Sequence, residues 1–125
     1  MSASLSQMPS LAAVGELIVA ELDGDLLGAV TYVSPDRPKA PFFEPHWPIV
    51  RMLVVHPAAR GRGVARTLMD ECCRRARRDN SRVLALHTSP IMTAALAMYR
   101  DMGFVFQRDA PPIYGVPSAV YLLAL

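Results

Sequence analysis

Long apolar runs are missing from this 125-residue chain, and none approaches the ~18–20 residues of a membrane-spanning helix. Residues 1–10 are polar and lack a basic region followed by an apolar core, so no signal peptide is read there. Cysteine is scarce. Cys72 and Cys73 are the only two, adjacent on a predicted helix, where neighbouring side chains point about 100° apart, so a structural disulfide between them is not expected. These absences together describe a cytoplasmic protein with reduced thiols and no membrane association. The nucleotide-triphosphate loop G-x-x-x-x-G-K-[ST] is also absent. Neither an internal repeat nor a linker interrupts the chain, whose length suits one domain spanning residues 1–125.

Hydrophobic residues make up 52% of the chain, ample for a core and contrary to disorder. The net charge of +2 is unevenly placed. Residues 1–59 hold 3 basic and 6 acidic side chains, whereas residues 60–82 hold 8 arginines against 3 acids. The basic block fits an anionic ligand. Arg74, Arg75, Arg77 and Arg78 are expected on a solvated helix face. No aromatic interleaving or binding module accompanies them, so nucleic acid is not expected as a partner.

Periodicity divides the chain into short elements. Met1 to Ala13 reads as a loose or partly helical lead-in. Glu16–Leu22 and Leu26–Val33 read as two strands of a hairpin turning at Asp23-Gly24, with Asp25 lengthening the connection. Five prolines between Ser34 and Pro48 exclude a helix or central strand and predict a long ordered loop. Its Phe42, Phe43 and Trp47 either line an apolar pocket or seal the loop against the core. Ile49–Val55 is a near-continuously apolar strand. Val64, Leu68, Cys72 and Ala76 recur at i+4 and mark a helix from Val64 to about Asp79. Val83–Thr88 is a strand, Thr93–Met102 a helix capped by Gly103, and Phe104–Gln107 a strand. Asp109–Pro117, with three prolines, reads as a loop, and Ala119–Leu125 as a closing strand. The expected class is α/β, or α+β by stricter accounting: a mixed central sheet flanked by helices, with parallel strands across the 49–88 crossover.

The junction between Val55 and Val64 carries the most chemistry. An apolar strand stops at Pro57, a short loop holds Arg60, Gly61, Arg62 and Gly63, and a helix starts at Val64. Backbone N–H groups at a helix N-terminus, with the positive end of the helix dipole behind them, make a phosphate site. Gly61 and Gly63 permit close backbone approach, and Arg60 and Arg62 add charge-assisted donors.

The spacing Arg60-x-x-Gly63-x-Ala65 resembles the pyrophosphate motif R/Q-x-x-G-x-G/A of the GNAT superfamily of N-acetyltransferases. Downstream, the run from Ala95 to Phe104 (ALAMYRDMGF) resembles that family's A-x-x-L-Y-x-x-x-G-F signature, with Met98 where Leu is usual. The resemblance covers roughly Glu16 to the C-terminus. It implies acetyl-CoA as cofactor, cradled by the backbone from Arg60 through Gly61, Arg62, Gly63 and Val64 to Ala65. The edge of Leu53, Val54 and Val55 would pair with the pantetheine amides, and this strand would splay from Val83–Thr88. The implied function is acetyl transfer to a primary amine of a small molecule or peptide by direct attack. The alternative is a non-catalytic acyl-CoA-binding or regulatory module. No metal is implied.

By the same resemblance Tyr99 is the general acid for the leaving thiolate, its ordinary pKa of about 10 suiting that step. The family often has Asn seven residues before this tyrosine, where Met92 stands here, and a Glu early in the motif strand, where Ile49 and Val50 stand here. Glu44 and His46 are therefore the candidate bases, with His87 a further one, unless the amine arrives neutral. His56 is expected to be structural. The family usually has another strand and one or two helices before the first hairpin, whereas about 15 residues precede Glu16 here. This shortened N-terminal region would leave an exposed sheet edge and favour a homodimer.

Overall fold

A computed structural model describes residues 4–8 and 15–125. Seven strands form one sheet: β1 (Ser4–Met8), β2 (Glu16–Leu22), β3 (Asp25–Val33), β4 (Ile49–Val55), β5 (Val83–Thr88), β6 (Val105–Ile113) and β7 (Val116–Ala124). Helix α1 (Val64–Arg78) joins β4 to β5, and α2 (Thr93–Met102) joins β5 to β6. The strand order is β1-β2-β3-β4-β5-β7-β6. Only β4 and β5 run parallel; every other neighbouring pair is antiparallel. The mixed sheet with helices is the expected class.

Three local expectations are corrected. The lead-in contains a strand, since β1 pairs antiparallel with β2 from Ser4↔Glu21 to Met8↔Leu17 and covers the edge expected to be bare; the rest of that lead-in lies outside the described residues. The β2–β3 turn is two residues long, because Leu22 pairs with Asp25 and both Asp23 and Gly24 adopt positive φ (53° and 84°). The proline-rich stretch 109–117 is strand rather than loop. Tyr114 and Gly115 (φ 48° and 77°) make a second tight turn between Ile113 and Val116. Pro111 and Pro112 are tolerated because β6 is an edge strand with its register broken between Ala110 and Ile113.

The two sheet faces are covered differently. Leu68, Met69, Cys72 and Ala76 of α1 pack with Leu96 and Tyr99 of α2 against Ile18, Val30, Val50, Leu84 and Leu86. The opposite face is sealed by the proline loop, whose Phe43 and Trp47 pack with Val33, Ile49, Ala85 and Val120. That loop is held by its own lysine. Lys39 Nζ donates to the carbonyls of Arg37 (2.8 Å), Pro45 (2.9 Å) and Ser34 (3.5 Å).

Helix α1 is anchored by charge as well as by its apolar stripe. Arg75, expected in solvent, is buried; its guanidinium donates to Glu16 of β2 and to Glu71, each at 2.8 Å. Arg78 also reaches Glu16 (2.8 Å) and pairs with Asp79 (3.0 Å), which in turn accepts from the Tyr32 hydroxyl (2.8 Å). The helix pattern placed these arginines off the apolar stripe, as they are. It carried no information about the hairpin carboxylate that covers them.

Candidate active site

Strands β4 and β5 separate almost as soon as they meet. Their one paired position is Ile49↔Ala85, with Ala85 N donating to Pro48 O at 3.0 Å. A bulge drives the separation. Between the pairs Thr31↔Arg51 and Ala29↔Val54, β4 has two residues, Met52 and Leu53, opposite Val30 alone. Met52 takes φ 53° to accommodate the extra residue. Beyond the bulge the Leu53–Val55 edge faces a gap instead of a strand, and Met52 and Val54 are left exposed. Unpaired strand backbone beside apolar surface fits an extended ligand with amide groups.

On the helix face, the gap opens into a groove of about 490 Å³. Leu53 and Val55 form its floor, the loop from Ala59 to Gly63 and the first turn of α1 one side, and Ala94, Ala95 and Met98 of α2 the other. Gly63 is the N-cap of α1 in the left-handed conformation (φ 77°), with no side chain capping the helix. No acidic residue lies in the first turn of α1. The N–H groups at this terminus thus remain available to an anion. A Cβ at Gly61 or Gly63 would point into open space. Both glycines have φ 77°, so backbone conformation and access are the reasons for glycine there. Arg60 and Arg62 are exposed and have no carboxylate partner among the described residues. Of the predicted cofactor residues, Leu53, Val55, Arg60, Gly61, Gly63, Val64 and Ala65 line this groove, whereas Val54 and Arg62 do not. Ala59, Arg66 and the α2 positions Ala94, Ala95 and Met98 complete the lining. The 94, 95, 98 spacing marks one helix face, but no local signal shows what that face opposes.

The predicted catalytic residues are dispersed. Tyr99 points into the helix-side core, 6% exposed, its ring 5.8 Å from that of Phe104. Met98 and Ala95, rather than Tyr99, line the groove. Burial first, and then Cys72, push the phenol pKa up. The Cys72 and Cys73 thiols are also buried and shifted upward, which disfavours their thiolates. Glu44 accepts from Arg108 at 3.1 Å on the rim of the proline loop, and Arg108 also stacks over Trp47 at 5.0 Å. His46 is exposed, its ring 6.3 Å from that of Trp47. His56 caps the short 3-10 turn Pro57–Ala59, its Nδ1 accepting from Ala58 N at 3.1 Å, which is the structural role expected of it.

On the loop face, the same gap borders a second hollow of about 490 Å³. Phe42, Phe43, Lys39, Arg51, Met52 and His87 contribute to its lining. Phe43 and Trp47 seal the loop against the sheet, whereas Phe42 lies over His87 with ring centroids 4.6 Å apart. At the end of β5, the buried Ser89 hydroxyl has no hydrogen-bond partner among the described residues. Among the described residues no group of His, Cys, Asp and Glu could hold a metal, and no helix is long and apolar enough to cross a membrane.

A glycine-arginine loop at a helix N-terminus beside a splayed parallel strand pair defines the class to which comparison with known proteins also leads. The model of the Acetyltransferase (GNAT) family matches residues 6–104, and the chain belongs to that family. A ribosomal-protein-alanine N-acetyltransferase from Brucella melitensis is 27% identical (TM-score 0.69; 88% of this chain, 68% of that one). A GNAT acetyltransferase from Elizabethkingia anophelis, with acetyl-CoA bound, superposes with TM-score 0.76 at 16% identity over 98% of each chain. An IAA acetyltransferase from Bacillus cereus reaches TM-score 0.78 at 14% identity over 99% of this chain and 100% of that one. No curated protein matches at the level of sequence. Acetyl-CoA is the cofactor of this family, and the groove, the glycine cradle and the unpaired β4 edge fit it.

Proposed function

We propose that this protein is an N-acetyltransferase that moves the acetyl group of acetyl-CoA to a primary amine by direct attack. The carrying observation is the gap between β4 and β5, with the groove at the glycine loop lined by Leu53 and Val55 of β4 and the second hollow lined by Arg51 and Met52 of β4 and His87 of β5. Bound acetyl-CoA supplies a thioester carbonyl activated toward amines. The amides from Gly61 to Ala65, with Arg60 and Arg62, hold the pyrophosphate, and the Leu53–Val55 edge pairs with the pantetheine amides. The amine acceptor, a small molecule or a peptide terminus or side chain, enters from the loop face. Tyr99 supplies the proton to the departing thiolate; burial keeps the phenol protonated before that step, though it also makes it a weaker acid. Tyr99→Phe should lower turnover with acetyl-CoA affinity kept; an unchanged rate removes Tyr99 from the reaction.

The test is melting temperature with and without acetyl-CoA, then thiol release across a panel of amines. A ligand that binds only the folded state raises the melting temperature, and thiol release identifies the acceptor class. A shift without release with any amine favours a non-catalytic acyl-CoA-binding module, the reading supported by Tyr99 lying off the groove.

We further propose a cytoplasmic homodimer, formed along β6. That edge strand leaves Val105 and Phe106 exposed, and Tyr114 is fully exposed at the adjoining turn. Sedimentation should give a dimer that Phe106→Glu converts to a monomer; a monomeric wild-type protein rejects the assembly.

A further inference from the structure

His87 lies on β5 two residues beyond Ala85, the last position paired with β4, so it stands at the lip of the gap on the loop face. Its side chain is fixed from behind. Nε2 lies 2.7 Å from the hydroxyl of Ser118 on the neighbouring strand β7. That hydroxyl has one proton, and it is donated to the Pro111 carbonyl at 2.7 Å. A carbonyl only accepts, so Ser118 Oγ must accept from the histidine. The proton of the neutral ring is therefore on Nε2, and Nδ1 holds the lone pair. No described residue hydrogen-bonds Nδ1. Ser118 is buried, which protects the relay from exchange with water.

We propose that His87 is the general base of this protein, with Nδ1 removing the proton from the acceptor ammonium and Ser118 acting as the positioning residue that sets the tautomer. The inference rests on the acetyltransferase reading. The ammonium N–H bond breaks and its proton goes to Nδ1. The freed amine attacks the thioester carbonyl, the C–N bond forms and the C–S bond breaks. Tyr99 protonates the departing thiolate and is restored by the second amine proton, and the imidazolium returns its proton to solvent. An amide, a thiol and one proton are the products.

The surroundings keep the ring in its neutral, proton-accepting form. Burial lowers the His87 pKa from its usual value, keeping the ring neutral and able to accept near pH 7. The charged groups sharing the hollow are Lys39 from the proline loop and Arg51 from β4, both cationic; β7 presents only the neutral Ser118 and β6 the Pro111 carbonyl. Two cations also disfavour an ammonium placed among them, easing its deprotonation. Neither Glu44, committed to Arg108, nor the exposed His46 lines this hollow.

The experiment compares wild type, His87→Gln and Ser118→Ala with an amine accepted by the wild-type protein, alongside acetyl-CoA binding by calorimetry and nitrogen-15 NMR of the wild-type imidazole. His87→Gln keeps a donor for Ser118. It should reduce kcat/KM about 100-fold at pH 7 and leave acetyl-CoA affinity unchanged. Its rate should climb with pH as the amine loses its own proton, with the histidine limb of the profile gone. Ser118→Ala should lower kcat about 10-fold and keep that limb at a shifted pH. NMR should show the Nε2–H tautomer. A His87→Gln rate within twofold of wild type, or an Nδ1–H tautomer, overturns the proposal and leaves the acetyltransferase reading intact. A wild-type protein that binds acetyl-CoA but releases thiol with no amine overturns both.

Discussion

Gly63 shows how one backbone conformation leaves a helix N-terminus open to a ligand. At φ 77° it ends the loop, starts α1 and leaves space where a Cβ would point. Aspartate tolerates the left-handed region better than most residues, so Gly63→Asp should fold with a melting temperature close to wild type. It should nevertheless abolish CoA binding, because a carboxylate then occupies the helix N-terminus in place of pyrophosphate. Calorimetric titration with CoA checks this, and unchanged affinity rejects the assigned loop. This residue was legible because strand, proline, glycine-arginine loop and helix follow one another in the chain. Tyr99 was legible as a motif position, but its burial against Phe104 was not. His87 drew attention as one of three candidate bases. Its tautomer depends on Ser118 and Pro111, which lie 31 and 24 positions away in sequence and meet it only through strand pairing.

At the scale of elements, the bulge in β4 and the charged seat of α1 matter most. The bulge lies where β4 parts from β5 after one pair, and both hollows take part of their lining from β4 around it. Helix α1 then holds the glycine loop in place through the Arg75 contacts to Glu16 and Glu71. Removing Arg75 leaves the part-buried Glu16 and Glu71 carboxylates with only the more exposed Arg78 and Arg74 as partners. Arg75→Ala should therefore cost ~3 kcal/mol, read as a lower denaturant midpoint. A loss below ~0.5 kcal/mol would place Arg75 with ordinary surface residues. Hydrophobic period gave both helices and most strands within a residue or two. It failed at 109–117, where proline signals a loop in isolation but is permitted on an edge strand with a broken register.

For the whole molecule, the same ion pairs predict acid sensitivity. Hydrogen bonding from Arg74, with Arg75, holds the Glu71 carboxyl below its usual pKa, and Arg78, with Tyr32, does the same for Asp79. A depressed folded-state pKa adds stability that is fully present above the unfolded value and is lost as pH falls through the folded one. The melting temperature should therefore hold near neutrality and decline below about pH 4.5. In Glu71→Gln the decline should be shallower, and an identical slope in the variant rejects the assignment.

The sequence alone determined the mixed α/β class, the placement of both helices and the glycine-arginine loop at the start of α1. Each of these depends on neighbours in the chain: a repeat of 3.6, a run of apolar residues, or a glycine next to a helix start. Tertiary structure alone decided that the 34–48 loop would replace a helical layer over one sheet face. It also decided that Glu16 would bury Arg75, that β4 and β5 would part after one pair, and that Ser118 would orient His87. Such contacts join residues far apart in the chain, and their partners are selected by packing and strand register, which no local spacing encodes.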